Sequence, residues 1–287
     1  MRFNKALKIA TVTLILLAAF LIIFARRIEE PQYQPPASET AAFSFLAFGD
    51  SGTGGDVQKA LASLMDEEET TFAILTGDVV YPCGTKEGYK TRFGDIYAEF
   101  LESRAIYPSP GNHDYQCDSL SSYLSYFKEY GRYYSFEESG ALFISLDTNN
   151  LDSTQITWIE EELSKATSTI RVVFFHHPPF SSGTVHGSNA QVQDKLVHLF
   201  DRYQVDLVFS GHEHNYERLE AGGVVYIVTG GGGATTYSLG APLGSSKAKL
   251  QDNHFVRVDI EGCEATLAVV RASGELFDQV SYRVCDE

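Results

Sequence analysis

Apolar residues along this chain gather into short, nearly continuous runs separated by longer stretches in which apolar and polar residues alternate at helical spacing. The short runs are Phe43 to Phe48, Phe72 to Leu75, Ile106-Tyr107, Ala141 to Leu146, Ile170 to Phe175 and Val205 to Phe209. Runs of this length with few polar breaks predict strands covered on both faces. Between them, Val57 to Glu68, Ser119 to Tyr130, Thr154 to Ala166 and Ala190 to Tyr203 carry the helical period. Asp152, three residues before Gln155, is placed to cap the third of these helices. After the strand Val224 to Val228 the helical stretches stop and short strands follow, so the order is α/β and mixed. Glu264 to Arg271 and Glu275 to Val284 read as a hairpin turning near Ser273-Gly274, in which residues whose numbers sum to about 547 face one another.

The apolar stretch Ile9 to Ala25 is of another kind. It contains no charge, follows Arg2, Lys5 and Lys8, and ends at Arg26-Arg27. A helix of about 17 residues spans about 25 Å, near the lower limit for a bilayer core of about 30 Å. It reads as a signal anchor or a cleaved signal peptide. No small-x-small pair closes the run, and Phe24-Ala25-Arg26 is a poor cleavage site, so the anchor is favoured. The basic leading flank would stay in the cytoplasm and the remaining chain outside. The predicted organisation is a membrane segment over residues 1–28, a proline-containing tether over 29–40 and one catalytic domain over 41–287.

Composition sets the container and excludes some partners. With 287 residues, 44% hydrophobic and 13% aromatic, the chain can bury one large core. A net charge of −16 repels polyanions, and no Lys/Arg-rich stretch beyond the membrane flanks looks like a nucleic-acid footprint. The four cysteines are even in number and include no CxxC pair. Cys263 and Cys285 flank the predicted hairpin and sum to 548, which places them opposite each other and favours a disulfide, and with it an oxidising compartment.

Five short blocks carry the chemistry: Gly49-Asp50-Ser51-Gly52, Gly77-Asp78-Val79-Val80-Tyr81, Gly111-Asn112-His113-Asp114, Val173-Phe174-Phe175-His176 and Gly211-His212-Glu213-His214. Each lies at or just past the end of an apolar run, so side chains that can bind metal are delivered repeatedly to one edge of a sheet. Two carboxylates, a phenol, an amide and three imidazoles are oxygen and nitrogen donors that suit Fe, Zn, Mn or Co. Seven such donors are too many for one four-coordinate ion, whereas a dinuclear site with a bridging carboxylate uses them all. His212 and His214, two residues apart, share a side if the backbone is extended. The run Gly230 to Gly233 lacks the strand, helix and lysine context of a P-loop and reads as a flexible loop beside the site.

Taken in order, the blocks resemble the calcineurin-like metallophosphoesterase superfamily, and in particular its purple acid phosphatase branch, whose pattern GDxG, GDxxY, GNH[DE], VxxH, GHxH they match. The tyrosine of the second block marks the branch, and the resemblance spans about residues 43 to 230. It implies two facing mixed β-sheets flanked by helices. It further implies that Asp50, Asp78, Tyr81 and His214 hold Fe(III), and that Asp78, Asn112, His176 and His212 hold a divalent partner (Zn, Fe or Mn), with Asp78 as the bridge. His113, beside Asn112, and His186, ten residues past His176, would contact the substrate phosphate and, protonated at acidic pH, give a proton to the leaving group. His177 could replace His176 as a ligand, but neighbours on a strand point to opposite faces, and the family spacing selects His176. His198 and His254 are expected to be structural or surface residues. Cys83 and Cys117, near Tyr81 and His113, would form a second disulfide tying two site loops together. The implied function is that of an exported acid phosphatase acting on small phosphate monoesters through a metal-activated hydroxide. A phosphodiesterase or nucleotidase of the same fold is the alternative. A non-catalytic phosphate-binding module is disfavoured, because every ligand position is filled.

Overall fold

The computed structural model describes residues 42–285. The predicted membrane segment and tether lie outside these residues. Among the described residues, no helix is long and apolar enough to cross a membrane.

The strands are β1 Phe43–Phe48, β2 Phe72–Leu75, β3 Ala105–Pro108, β4 Tyr134–Glu138, β5 Ala141–Ser145, β6 Ile170–Phe174, β7 Leu207–Ser210, β8 Tyr216–Ala221, β9 Val224–Thr229, β10 Ser246–Leu250, β11 His254–Glu261, β12 Glu264–Arg271 and β13 Leu276–Arg283. They form a six-stranded sheet ordered β13-β12-β11-β1-β2-β3 and a seven-stranded sheet ordered β10-β8-β9-β7-β6-β5-β4. Both are mixed. In the first, β1, β2 and β3 are parallel and β11 runs against β1. In the second, β5, β6, β7 and β9 are parallel, with β4 and β8 antiparallel at its flanks.

The reason for the continuous apolar runs is visible in the packing. Phe45, Ala47, Phe72 and Ile74 of the first sheet face Phe143, Val172, Phe174 and Phe209 of the second, forming the central core. Phe45 stacks on Phe72 at 5.4 Å, and Phe143 meets each edge-on at 5.2 Å. The alternate residues Leu46, Phe48, Ala73 and Leu75 point outward and pack under Leu61, Ala62 and Met65 of the helix Asp56–Glu67. On the other side, Ile144, Val173 and Phe175 pack under Ile159 and Leu163 of the helix Ser153–Lys165 and under Leu196, Leu199 and Phe200. Both faces of each central strand are therefore dry, as in an α/β sandwich. Each fully buried Phe or Leu contributes roughly 1.5–3 kcal/mol.

Several local expectations are met. Asp152 caps the helix Ser153–Lys165, its carboxylate accepting from Gln155 N at 2.8 Å. The C-terminal hairpin pairs Glu264 with Arg283 and Thr266 with Ser281, the expected register, up to a bulge at Val269/Val270. Both disulfides, Cys83–Cys117 and Cys263–Cys285, are formed. Two helices differ from expectation. The stretch Ser119 to Tyr130 is helical only over Ser121–Tyr126, because Ser119 and Leu120 adopt φ of 54° and 77° and cannot join a right-handed helix. The helix begun at Ala190 contains a widened turn at Gln193–Val197 before it resumes at His198–Arg202.

Candidate metal centre

The parallel strands β1, β2 and β3 of one sheet and β6 and β7 of the other bring their carboxyl ends together. Such ends are where open α/β sheets place ligands. Asp50 follows β1, Asp78 follows β2, and Asn112 opens a short helix, Asn112–Tyr115, just after β3. His176 follows β6, and His212 and His214 follow β7. The two sheets are joined directly here, since Asp50 Oδ2 accepts from the backbone N–H of His212 at 2.9 Å. Glycine precedes Asp78 and Asn112 for steric reasons. Gly77 has φ 93°, and a Cβ on Gly111 would fall on the Asp78 carboxylate.

All seven predicted donors converge, in two groups that meet at one residue. In the first, the Tyr81 hydroxyl lies 3.1 Å from Asp50 Oδ1, 2.9 Å from Asp78 Oδ2 and 3.0 Å from His214 Nε2. In the second, His176 Nε2 lies 3.0 Å from Asn112 Oδ1, 3.1 Å from His212 Nδ1 and 3.5 Å from Asp78 Oδ2. Asp78 Oδ2 thus faces both groups.

The protons in this cluster show what it suits. His176 Nδ1 is 2.9 Å from Thr76 O, and His214 Nδ1 is 2.8 Å from Thr235 O. Each carbonyl takes the Nδ1–H, which turns Nε2 of both rings toward carboxylate oxygens, and against the cost of burial those carboxylates favour a proton on each ring. His214 Nε2 is 3.4 Å from Asp50 Oδ1. Once Tyr81 and both Nε2 atoms give up their protons, every atom here is a lone-pair donor in a dry site, and a shared cation takes the place of those protons. The donor set therefore fits a metal pair.

The ionisation of these groups is set mainly by burial. Burial opposes the charge of Asp50, but His176 and His214 outweigh it and hold this carboxyl below its ordinary value. At Asp78 burial prevails, with the Asp50 charge adding to it, and the carboxyl is raised. Burial, reinforced by Asp50 and Asp78, pushes the Tyr81 phenol far up, so only a cation at its oxygen would make it a phenolate. Burial and the surrounding imidazoles push His212 down, which keeps it neutral and able to donate a lone pair.

His113 lies half-buried at the mouth. Its Nδ1 is 2.6 Å from Pro82 O, and its Nε2 is 3.9 Å from Asp78 Oδ2. His186 is on an exposed loop but is not remote, since its ring stacks on His212 at 3.9 Å. Burial lowers its pKa, with Glu213 opposing. His198 is exposed and His254 is buried in a structural role, its Nε2 3.2 Å from Thr229 Oγ1, both as expected.

Two expectations are corrected. Strand alternation does not turn His177 away from the cluster. Strand β6 ends at Phe174, the chain bends, and the His177 ring comes to 4.5 Å from that of His212, with Nδ1 2.9 Å from Thr148 Oγ1. His176, His177 and His212 form one compact donor group. Gly230 to Gly232, expected to be a flexible loop, form a loop beside the site that is buried and close-packed, and a Cβ on Gly230 would press on the Glu213 carbonyl and Asp50. Other contributors went unread. Asp114 ties the loops after β2 and β3 by accepting from Gly111 N at 2.8 Å and Tyr89 OH at 2.8 Å. Tyr237 stacks on His214 at 4.0 Å. The motif itself signalled Asp114, whereas nothing local signalled Tyr237. A cavity of about 400 Å³ lined by Asp201, Val205, Gly222 and Arg283 shares no residue with the centre and lies at the opposite, amino ends of β7 and β9.

Residues 43–216 match the calcineurin-like phosphoesterase family. Among curated proteins, the chain is 28% identical to purple acid phosphatase 23 of Arabidopsis thaliana, the alignment covering 69% of this chain and 54% of that one. It is 30% identical to a 3',5'-cyclic-nucleotide phosphodiesterase of Nostoc sp., over 60% of this chain and 65% of the other. Among solved structures, purple acid phosphatase PPD1 from yellow lupin superposes with a TM-score of 0.76 at 18% identity, covering 87% of this chain and 55% of that one. GAP50, described as the anchor in the inner membrane complex of Plasmodium, gives 0.77 at 20% identity over 86% and 90%. At these identities the structural likenesses show the shared fold. The chain spans about half the length of purple acid phosphatases 23 and 21 of Arabidopsis thaliana.

Proposed function

We propose a function from one premise: the chain belongs to the calcineurin-like phosphoesterase family, in its purple acid phosphatase-like branch, and its domain is that of a metal-dependent phosphoester hydrolase. The proposed activity is hydrolysis of small phosphate monoesters at acidic pH by a dinuclear centre of Fe(III) and a divalent ion. The observation that carries it is the pair of side-chain clusters sharing Asp78 Oδ2, 2.9 Å from the Tyr81 hydroxyl and 3.5 Å from His176 Nε2.

In this reading Asp50, Asp78, Tyr81 and His214 hold the ferric ion, because anionic oxygens suit a trivalent cation. Asp78, Asn112, His176 and His212 hold the divalent one, be it Zn, Fe or Mn. When bound, such a pair supplies an activated water and charge neutralisation for the phosphate. The remaining chemistry is the chain's own. Thr76 and Thr235 carbonyls fix the tautomers of His176 and His214. His113 and His186 stand at the mouth, where a protonated imidazole can hold a phosphate oxygen or give its proton to the departing alkoxide. A net charge of −16 disfavours long polyanions, so the substrate is a small ester rather than a nucleic acid.

The likeness to a cyclic-nucleotide phosphodiesterase, at 30% identity, supports a second reading as a phosphodiesterase. A panel of monoesters, cyclic nucleotides and linear diesters, run on protein whose metals are quantified, separates the two. The first reading expects iron and a divalent metal in equal amounts and a kcat/KM on monoesters at least roughly tenfold above that on diesters. The reverse preference establishes the second reading, and inactivity on both classes with both metals present overturns the two together.

Residues 41–287 are proposed as the catalytic domain, exported by residues 1–28 acting as an anchor and spaced by 29–40. Release after cleavage is the alternative. The two disulfides support an oxidising destination. Protease added to intact cells or spheroplasts should release active domain cut between Glu29 and Thr40. Activity protected in the cytoplasm would exclude export.

A further inference from the structure

Between His212 and His214 stands a carboxylate that the reading above does not use. Glu213 is fully buried, and its Oε1 accepts two consecutive backbone N–H groups, those of His186 at 2.5 Å and Gly187 at 2.6 Å. Its own N–H is bonded to Gly211 O at 2.8 Å and its carbonyl to Asn215 N at 2.7 Å, so the carboxylate is fixed in the turn that presents both histidines. The loop carrying His186 closes tightly on it. A Cβ on Gly183 would collide with the Glu213 carboxyl group, and Gly183 is itself bridged to Leu239. The neighbouring segment is held too, through Thr184 N to Ser238 O at 3.0 Å and Gly240 N to Ser182 O at 2.7 Å. The His186 ring then lies on His212 at 3.9 Å and against Tyr237 at 5.7 Å.

We infer that Glu213 is a positioning residue for His186. By gripping the two N–H groups at the loop's tip, it sets the imidazole over the metal-facing His212, where the leaving group of the ester would depart. The inference rests on the reading of His186 as proton donor. A histidine on an exposed loop delivers a proton well only if its backbone is fixed, and ionic N–H acceptance is among the stronger ways to fix it. A carboxylate at 213 also costs desolvation that an apolar residue would not incur, and the two N–H groups it holds offset that cost.

The test uses the metal-loaded full chain and phosphate esters whose leaving groups range from 4-nitrophenol to simple alcohols. A proton donor matters most for poor leaving groups. Glu213→Gln keeps the shape but loses the charge, and should lower kcat/KM on alkyl esters by roughly tenfold or more while changing 4-nitrophenyl phosphate by less than about twofold. Metal content should be unchanged. Gly183→Ala, which pushes the loop off an intact carboxylate, should give the same signature and serves if Glu213→Gln fails to fold. On a His186→Ala background, Glu213→Gln should add nothing. Equal losses across all leaving groups, or losses that add in the double variant, would overturn the inference and leave Glu213 a structural residue. If His186→Ala alone leaves the leaving-group dependence unaltered, the proton-donor reading falls and the inference with it, and that single variant tells this failure from the other.

Discussion

Asp50, Asp78 and His212 hold left-handed backbone conformations, with φ of 58°, 50° and 68°. Such residues cost roughly 1–3 kcal/mol each and persist where surrounding structure demands them. All three are proposed ligands, placed where the chain leaves a strand and doubles back over the carboxyl edge. The motifs made these residues legible, because strand, glycine and ligand are neighbours in sequence. Glu213 and Tyr237 were not, because their partners lie on loops far away along the chain. Partition of the donors predicts distinct metal losses. Asp78→Asn should deplete both metals and Asn112→Ala mainly the divalent one, as measured by elemental analysis; equal loss of both metals in the two variants would contradict the partition. Tyr81→Phe should abolish a violet charge-transfer band of the oxidised protein while leaving its fold intact by circular dichroism. A colourless wild type with stoichiometric Fe(III) would refute ligation by Tyr81. Away from the centre, burial holds His254 at a pKa of about 4, with Asp252 O accepting from Nδ1 at 3.0 Å. Unfolding restores an ordinary value near 6.5, so the unfolded state binds more protons between these limits. Stability is therefore full above about pH 6.5 and falls as pH drops toward 4, by about 2 kcal/mol at pH 5. His254→Gln should flatten that dependence in urea melts at pH 7 and pH 5, whatever it costs at pH 7.

Among the elements, those read correctly were those whose signal is local. The Asp152 cap and the hairpin register of β12 and β13 depend on residues close in sequence. Strands β4 and β8 were missed because Tyr134–Glu138 and Tyr216–Ala221 mix charge with apolar residues. Their polar groups are satisfied only in three dimensions: Arg218 Nε bonds Asp278 at 2.8 Å, and the Tyr134 hydroxyl bonds Pro108 O at 2.8 Å. His177 was misread for a related reason, since alternation applies only while a strand lasts and β6 stops at Phe174. The disulfides differ in what they tie. Cys263–Cys285 closes the β12/β13 hairpin at an edge, and Cys83–Cys117 joins the loops that carry Tyr81 and His113. Replacing both Cys263 and Cys285 by serine should cost about 2–4 kcal/mol in denaturant melts with kcat nearly unchanged. Replacing Cys83 and Cys117 should lower kcat as well. An unaltered kcat in the second variant would show that the loops are held without that bridge.

At the scale of the whole molecule, the centre joins two sheets that otherwise meet through an apolar core. Asp50, Asp78 and Asn112 come from the first sheet, and His176, His212 and His214 from the second. The core supplies a folded scaffold by itself, with Phe45, Phe72, Phe143 and Phe209 fully or almost fully buried. The converging carboxylates and imidazoles need positive charge between them, from protons on His176 and His214 or from metal ions. A metal that binds only the folded state adds stability of RT ln(1 + [M]/Kd), about 4 kcal/mol at a thousandfold excess over Kd. Chelation should therefore lower the melting temperature measurably while leaving a cooperative transition and native near-ultraviolet circular dichroism. Asp78→Asn, by weakening both metal sites, should melt close to the chelated wild type and respond little to added chelator. A melting temperature unmoved by chelation, in protein shown by elemental analysis to have lost its metals, would mean that protons replace the metals without cost and that the metals add nothing to the hold between the sheets.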